Sequence, residues 1–159
     1  DYALRLVETP GAPVLHVSGG KITTHRRLAE AALARLGPVL GGVRGPWTAR
    51  VALPGGDFAV DGAEGLMARL AAEHPFLDPA TARRLIRAYG TEAWALLGGA
   101  REAGALGRAF GAGLTEAELD WMRDREWARS AEDALWRRSK LGLRLSPPEA
   151  QAVADRFGR

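Results

Sequence analysis

Cysteine is absent from the 159-residue chain. Disulfides, thiolate nucleophiles and Cys-ligated metals are therefore excluded, and the composition fits an intracellular setting. No apolar run approaches the ~20 residues needed to cross a bilayer. The start, Asp1-Tyr2-Ala3, has neither the basic nor the apolar region of a secretory signal, so a soluble or at most peripheral chain is expected. It opens without Met and in mid-pattern, which reads as a segment of a longer protein. No fixed-period repeat and no low-complexity tract occurs. Also missing are a strand-borne G-x-G-x-x-G dinucleotide fingerprint, a G-x-S-x-G elbow and an H-E-x-x-H metal pair.

What is present bounds one sizeable core plus an appendage: 47% of the residues are hydrophobic, and the length is that of a single domain. The net charge is only +3, yet the pI is 9.9, because most basic residues are arginines. That is a mild bias, not by itself a nucleic-acid signature. The first third carries two β-prone runs, Tyr2 to Val7 and Val14 to Val17, separated by Pro10-Gly11-Ala12-Pro13, a turn sequence. After Gly19-Gly20 the period becomes helical, with Leu28, Ala29, Ala32, Leu33 and Leu36 recurring up to Gly37-Pro38. Residues 41–58 are loop-rich and enclose one short extended stretch from Thr48 to Leu53.

Beyond the loops every periodic segment is helical. Asp61 with Glu64, Thr115 with Glu118 and Ser146 with Glu149 have capping-box spacing, Pro147 suits a first helical position, and Leu114 with Leu119 has staple spacing. Leu66, Met67, Leu70 and Ala71 form one predicted inward stripe; Ala82, Leu85, Ile86 and Tyr89 form another.

The strongest chemical signal is Ser18-Gly19-Gly20-Lys21-Ile22-Thr23-Thr24, between a strand and a helix. A helix start offers N–H groups without intrahelical partners and a partial positive charge. Glycines let a ligand approach the backbone, and Lys21 adds a full charge. A nucleoside-triphosphate loop does not fit: Leu15 stands where its first Gly belongs and Ile22 where its hydroxyl belongs. On local chemistry alone, a plain glycine turn before a helix is the better reading.

Gly19 to Arg26 matches the late G-G-K-[LI]-T-T-Y-R motif of flavin-dependent glycerol-3-phosphate dehydrogenases, with His25 in place of Tyr. Leu53-Pro54-Gly55-Gly56-Asp57 is similar to that family's L-P-G-G turn and Tyr89-Gly90-Thr91 to its Y-G-T step. Trp127-Ala128-Arg129-Ser130-Ala131-Glu132-Asp133 through Leu143 is similar to its E-W-A-x-[ST]-x-E-D-x-L-x-R-R-[ST]-K-L-G-L signature. The chain thus resembles the C-terminal part of such an enzyme, with the matches in family order over most of its length. The resemblance implies a mainly α fold: a helical C-terminal cap domain, residues 45–159, preceded by a short β-β-α remnant, residues 1–44, that ends the FAD-binding domain. It implies that Gly19, Gly20, Lys21, Ile22, Thr23 and Thr24 border the flavin, and that Lys21 serves as the catalytic cation and meets the substrate phosphate. The full-length enzyme would oxidise sn-glycerol 3-phosphate to dihydroxyacetone phosphate, passing electrons through FAD to quinone. It would do so in the cytoplasm, peripheral at the inner face of the membrane. The remainder of the FAD-binding domain is the implied partner; the segment alone is expected to be inactive, to bind no FAD tightly and to be free to self-associate.

The other candidates read as structural. Residues 121–144 interleave Trp121, Trp127 and Trp136 with Arg123, Arg125, Arg129, Arg137, Arg138, Lys140 and Arg144, a mixture suited to polyanions. Glu126, Glu132 and Asp133 interrupt that field, and Asp133 with Arg137 has the spacing of an intrahelical pair. Arg137 and Arg138 are accordingly expected at helix ends with the Trp residues as core, and no nucleic acid is expected. The alternative is a helical interaction module that grips nucleic acid or an acidic membrane surface through this face. His16, His25 and His74 lack metal spacing; His16 reads as a core residue and His25 as a partly exposed helix residue. Ser18, Ser130, Ser139 and Ser146 read as turn or cap residues.

Overall fold

The computed structural model describes residues 2–158 and is mainly α. Two compact units divide between Ala52 and Leu53.

In the first unit, β1 (Tyr2–Val7) and β2 (Val14–Gly19) form an antiparallel ribbon with Leu4 opposite Val17 and Leu6 opposite Leu15. Alternation places these four on one face, Arg5 and His16 on the other. The Thr9 hydroxyl closes the turn, donating to Ala12 O at 2.8 Å and accepting the Gly11 N–H at 3.2 Å. Helix α1 (His25–Leu36) packs against both strands. This is the β-β-α order that the pattern predicts, but His16 is exposed, not core, on the ribbon face opposite Leu4, Leu6, Leu15 and Val17. Ser18 belongs to β2, opposite Ala3, and is not a turn residue. The predicted extended stretch also differs. Thr48–Arg50 coils into a 3-10 turn because the Glu30 carboxylate takes both the Thr48 N–H, at 3.0 Å, and its hydroxyl. That hydroxyl, ahead of the backbone bond and Arg26, outweighs burial and lowers the Glu30 pKa.

The second unit holds α2 (Ala63–Glu73), α3 (Pro79–Tyr89), α4 (Ala93–Leu97), a small hairpin of β3 (Ala109–Gly111) and β4 (Leu114–Thr115), α5 (Glu116–Arg125) and α6 (Pro147–Phe157). A π-helical turn, Asp133–Arg138, and a 3-10 turn, Leu141–Leu143, connect the last two helices. Helix α3 buries the predicted stripe, Ala82, Leu85, Ile86 and Tyr89. In α2 only Leu70 is fully buried; Leu66, Met67 and Ala71 pack at the margin. Asp78 caps α3, its Oδ1 accepting the Ala80 and Thr81 N–H groups at 3.0 Å each, and Pro79 follows at the first helical position. Leu114 and Leu119 are both buried, as the staple spacing requires.

Of the three predicted capping boxes, Ser146 with Glu149 forms, the carboxylate accepting the Ser146 N–H at 2.8 Å and its hydroxyl at 2.7 Å. The Asp61 box does not, since α2 begins at Ala63 with Gly62 before it. Thr115 stands at the start of α5 without closing a box, because Glu118 turns inward.

Two segments far apart in sequence meet in this unit. The Thr91 N–H donates to Gly55 O at 3.0 Å and the Thr91 hydroxyl binds the Asp57 carboxylate. Gly55 and Gly90 have φ of 76° and 55°. A Cβ on Gly90 would lie 1.9 Å from Gly55 O, and one on Gly55 2.2 Å from Tyr89 O. Only glycine admits this approach.

Candidate functional site

The chain leaves β2 through Gly19 and Gly20, whose φ values of 80° and 107° lie where side chains are rarely tolerated. A Cβ on Gly20 would also press within 3.2 Å of Leu28 Cδ2. The backbone then swings through Lys21, extended at φ −134°, into a 3-10 turn, Ile22–Thr24, that runs straight into α1. Thr24 locks that mouth. Its N–H and hydroxyl both donate to Lys21 O, at 2.9 and 3.0 Å, and its Oγ1 accepts the Lys21 N–H at 3.3 Å. His25 Nδ1 lies 2.6 Å from Ile22 O. The Ile22 carbonyl can only accept, so the contact is a hydrogen bond from an Nδ1–H. His25 is exposed on the helix, as the sequence suggests.

The Ile22 and Thr23 amides open the first turn, where helix geometry provides no acceptor. Neither the 3-10 turn nor the first turn of α1 contains an acidic residue, so the positive end of the helix is not neutralised from within. Ile22 is 84% exposed and the Lys21 side chain is exposed. Gly19, Gly20, Lys21, Ile22, Thr23 and Thr24 are therefore one continuous element: two left-handed glycines, a cation, and a helix mouth facing outward.

The second unit contains a different constellation that local spacing does not reveal. Glu118, 1% exposed, takes a bidentate pair from Arg84 at 2.6 and 2.7 Å and the Tyr89 hydroxyl at 2.8 Å. Arg84 Nη2 also donates to Gly113 O at 2.8 Å. Burial opposes the Arg84 cation, but the Glu118 carboxylate more than offsets it, so the guanidinium pKa ends raised. Burial, reinforced by Glu118, drives the Tyr89 phenol far above its ordinary value. Neither group exchanges a proton near neutral pH, which makes the trio a fixed buried tie across α3, α5 and the hairpin.

The Trp and Arg face departs from expectation. Trp121 is half-buried under Arg125, whose Cζ sits 5.1 Å from the ring centroid. Trp127 and Trp136 are exposed, not core, the first because its backbone adopts φ 57° and turns the ring outward. Arg137 does form the predicted pair with Asp133, at 2.9 Å, and a second with Glu132 at 2.7 Å. Ser130 Oγ accepts the Asp133 N–H and the Ser139 hydroxyl donates to Ala134 O, both turn roles. Glu126, at the end of α5, has its pKa raised by burial despite Arg138. Among the described residues no cluster of His, Asp and Glu is placed to hold a metal ion, and no helix is long and apolar enough to cross a membrane.

The first unit is a β-β-α element with a glycine-lysine helix mouth between its second strand and its helix, and the second is a mainly helical unit with one small hairpin. Residues 46–157 match the family model of the C-terminal domain of alpha-glycerophosphate oxidase, and the chain belongs to that family. It is similar to a glycerol-3-phosphate dehydrogenase of Pseudomonas aeruginosa, 46% identical over 150 residues, covering 94% of this chain and 29% of the relative. The aerobic glycerol-3-phosphate dehydrogenase of Escherichia coli is 44% identical over 157 residues, covering 98% of this chain and 31% of that protein. A D-erythritol 1-phosphate dehydrogenase of Brucella abortus is 40% identical over 157 residues, covering 99% and 31%. The chain thus spans about three tenths of the length of these curated relatives.

Proposed function

We propose that this chain is the C-terminal segment of an FAD-dependent glycerol-3-phosphate dehydrogenase and that residues 19–24 complete its flavin site. The observation that carries it is the helix mouth: two positive-φ glycines, the exposed Lys21 and the Ile22 and Thr23 amides at its first turn, in a chain whose relatives are named glycerol-3-phosphate and D-erythritol 1-phosphate dehydrogenases. These residues fit a flavin, whose electron-rich pyrimidine edge calls for N–H donors and a cation. When bound, the flavin supplies two-electron oxidation of the substrate carbinol to a ketone, and quinone is the eventual acceptor. The Ile22 and Thr23 amides would hold the ring's edge, Gly19 and Gly20 would let it approach, and Thr24 keeps the mouth in shape. Lys21 would contribute positive charge beside the flavin and attract the substrate phosphate. The remaining FAD contacts, the dinucleotide fingerprint included, belong to sequence outside this chain, at the inner face of the cytoplasmic membrane.

In the full-length enzyme, Lys21→Ala is expected to lower turnover with glycerol 3-phosphate while the unfolding midpoint stays put. Wild-type turnover in that variant removes Lys21 from the site. The isolated chain is expected to bind FAD weakly in a fluorescence titration; tight stoichiometric binding contradicts the assignment of the missing contacts. D-Erythritol 1-phosphate is the second substrate to assay, because one relative carries its name. A higher kcat/KM for it than for glycerol 3-phosphate would reassign the substrate within the same chemistry.

A further inference from the structure

Between Gly19 and Arg26 the chain departs from the family motif at His25 alone, and the structure gives that residue a contact of its own. The ring Nδ1 donates to Ile22 O at 2.6 Å, and the His25 backbone N–H donates to the same oxygen. Thr24 acts in the same way one residue earlier, giving Lys21 O both its N–H, at 2.9 Å, and its hydroxyl, at 3.0 Å. Two consecutive carbonyls of the helix mouth are thus each held twice, by a backbone donor and a side-chain donor three residues further on.

Fixing a carbonyl fixes an amide. The peptide unit is planar and, among the described residues, no peptide is cis, so the C=O of one residue and the N–H of the next point in opposite directions. Lys21 O shares its plane with the Ile22 N–H, and Ile22 O shares its plane with the Thr23 N–H. Drawing both carbonyls toward Thr24 and His25, along α1, turns both amides the other way, back out of the helix start, where helix geometry supplies no acceptor. Thr24 therefore sets the direction of the Ile22 amide, and His25 sets that of the Thr23 amide. A carbonyl that accepts two bonds also polarises its own peptide, which strengthens the N–H at the other end as a donor.

The chemistry is specific to the near nitrogen of the ring. Nδ1 is bonded to Cγ, so it reaches a carbonyl of the preceding turn; the tyrosine of the family motif carries no donor short of its far hydroxyl. The Nδ1–H is present in the neutral tautomer that makes this bond and in the charged ring alike, so the contact does not need a charge on His25. We propose that His25 is a positioning residue for the flavin: by holding Ile22 O it aims the Thr23 N–H at the edge of the isoalloxazine. It acts through the Ile22–Thr23 peptide and transfers no proton. The inference rests on the flavin reading of residues 19–24 and deepens it.

The test compares His25→Asn, which keeps an N–H donor on Cγ, with His25→Gln, whose donor lies one bond further out, in the full-length flavoprotein. FAD affinity of the apoprotein and the two-electron midpoint potential of the bound flavin are the readouts. His25→Gln should weaken FAD binding about five-fold and lower the potential, because the reduced, negatively charged flavin loses an aligned donor. The thermal midpoint of the apoprotein should stay put, and His25→Asn should restore wild-type affinity and potential. A purely structural histidine would move the thermal midpoint instead, and one acting by its charge would leave His25→Asn as impaired as His25→Gln. Either result, or wild-type affinity and potential in His25→Gln, overturns the proposal. Lys21→Ala measured alongside separates it from the reading beneath it. A changed potential in Lys21→Ala with none in His25→Gln removes the positioning role alone, whereas no change in any of the three variants removes the flavin reading as well.

Discussion

The two units of this chain contain similar proportions of apolar residues but use them differently. Among the described residues every buried apolar side chain lies between Leu70 and Val153, in the second unit, and none lies in the first. There Val39, Leu40, Val43, Trp47 and Val51 are exposed, and α1 buries no residue at all. A helix packed on a two-stranded ribbon cannot surround its own apolar face, whereas five helices and a hairpin can. The second unit closes a core of its own; the first leaves most of its apolar side chains exposed, and it carries the glycine-lysine mouth. The residues closest to the proposed chemistry thus lie in the unit that buries the least apolar surface.

The sharpest way to break the second unit is to remove half of its buried ion pair. Glu118→Ala leaves Arg84 buried without a countercharge and Tyr89 without an acceptor, and is expected to cost about 3–5 kcal/mol in urea unfolding. Gly90→Ala forces a Cβ to within 1.9 Å of Gly55 O and should cost about 3 kcal/mol in the same measurement. Leu70→Ala against Leu28→Ala sharpens the comparison. The first opens a cavity in a sealed core, for about 3 kcal/mol; the second, in α1, should leave the main transition where it was. Equal shifts would show that the units share one core.

The smallest expected effect concerns a cap. The Thr81 hydroxyl, then the Thr81 and Ala80 amides, hold the Asp78 carboxyl below its ordinary value. A depressed carboxyl stabilises the fold above its unfolded pKa and loses that contribution as pH falls through the folded value. Asp78→Ala is therefore expected to cost about 1 kcal/mol at neutral pH, with the difference from wild type closing below about pH 4. A difference that persists in acid would assign Asp78 another role.

The sequence made visible what depends on neighbours along the chain. The α3 stripe, the Ser146–Glu149 box, the Asp133–Arg137 pair and the strand-glycine-helix order around Lys21 all rest on interactions within a few residues. What it concealed depends on distant partners. Glu118 has capping-box spacing from Thr115, yet Arg84, 34 residues away, claims it. Thr48 looked extended, but Glu30 pulls it into a turn. Trp127 had the composition of core, and a positive φ turned it out. His16 looked buried because its strand looked central, but among the described residues β2 pairs with β1 alone. The Leu53–Asp57 and Tyr89–Thr91 motifs were each legible; that they form one glycine-to-glycine contact was not.

Hydrogen exchange followed residue by residue, on the isolated chain and on the full-length flavoprotein, tests the contrast between the units most directly. In the isolated chain the amides of residues 2–44 should exchange well ahead of those of residues 60–158, and in the full-length protein they should become protected, those of residues 20–24 further still when FAD is bound. Equal protection of both regions in the isolated chain, unchanged in the full-length protein, would contradict the account.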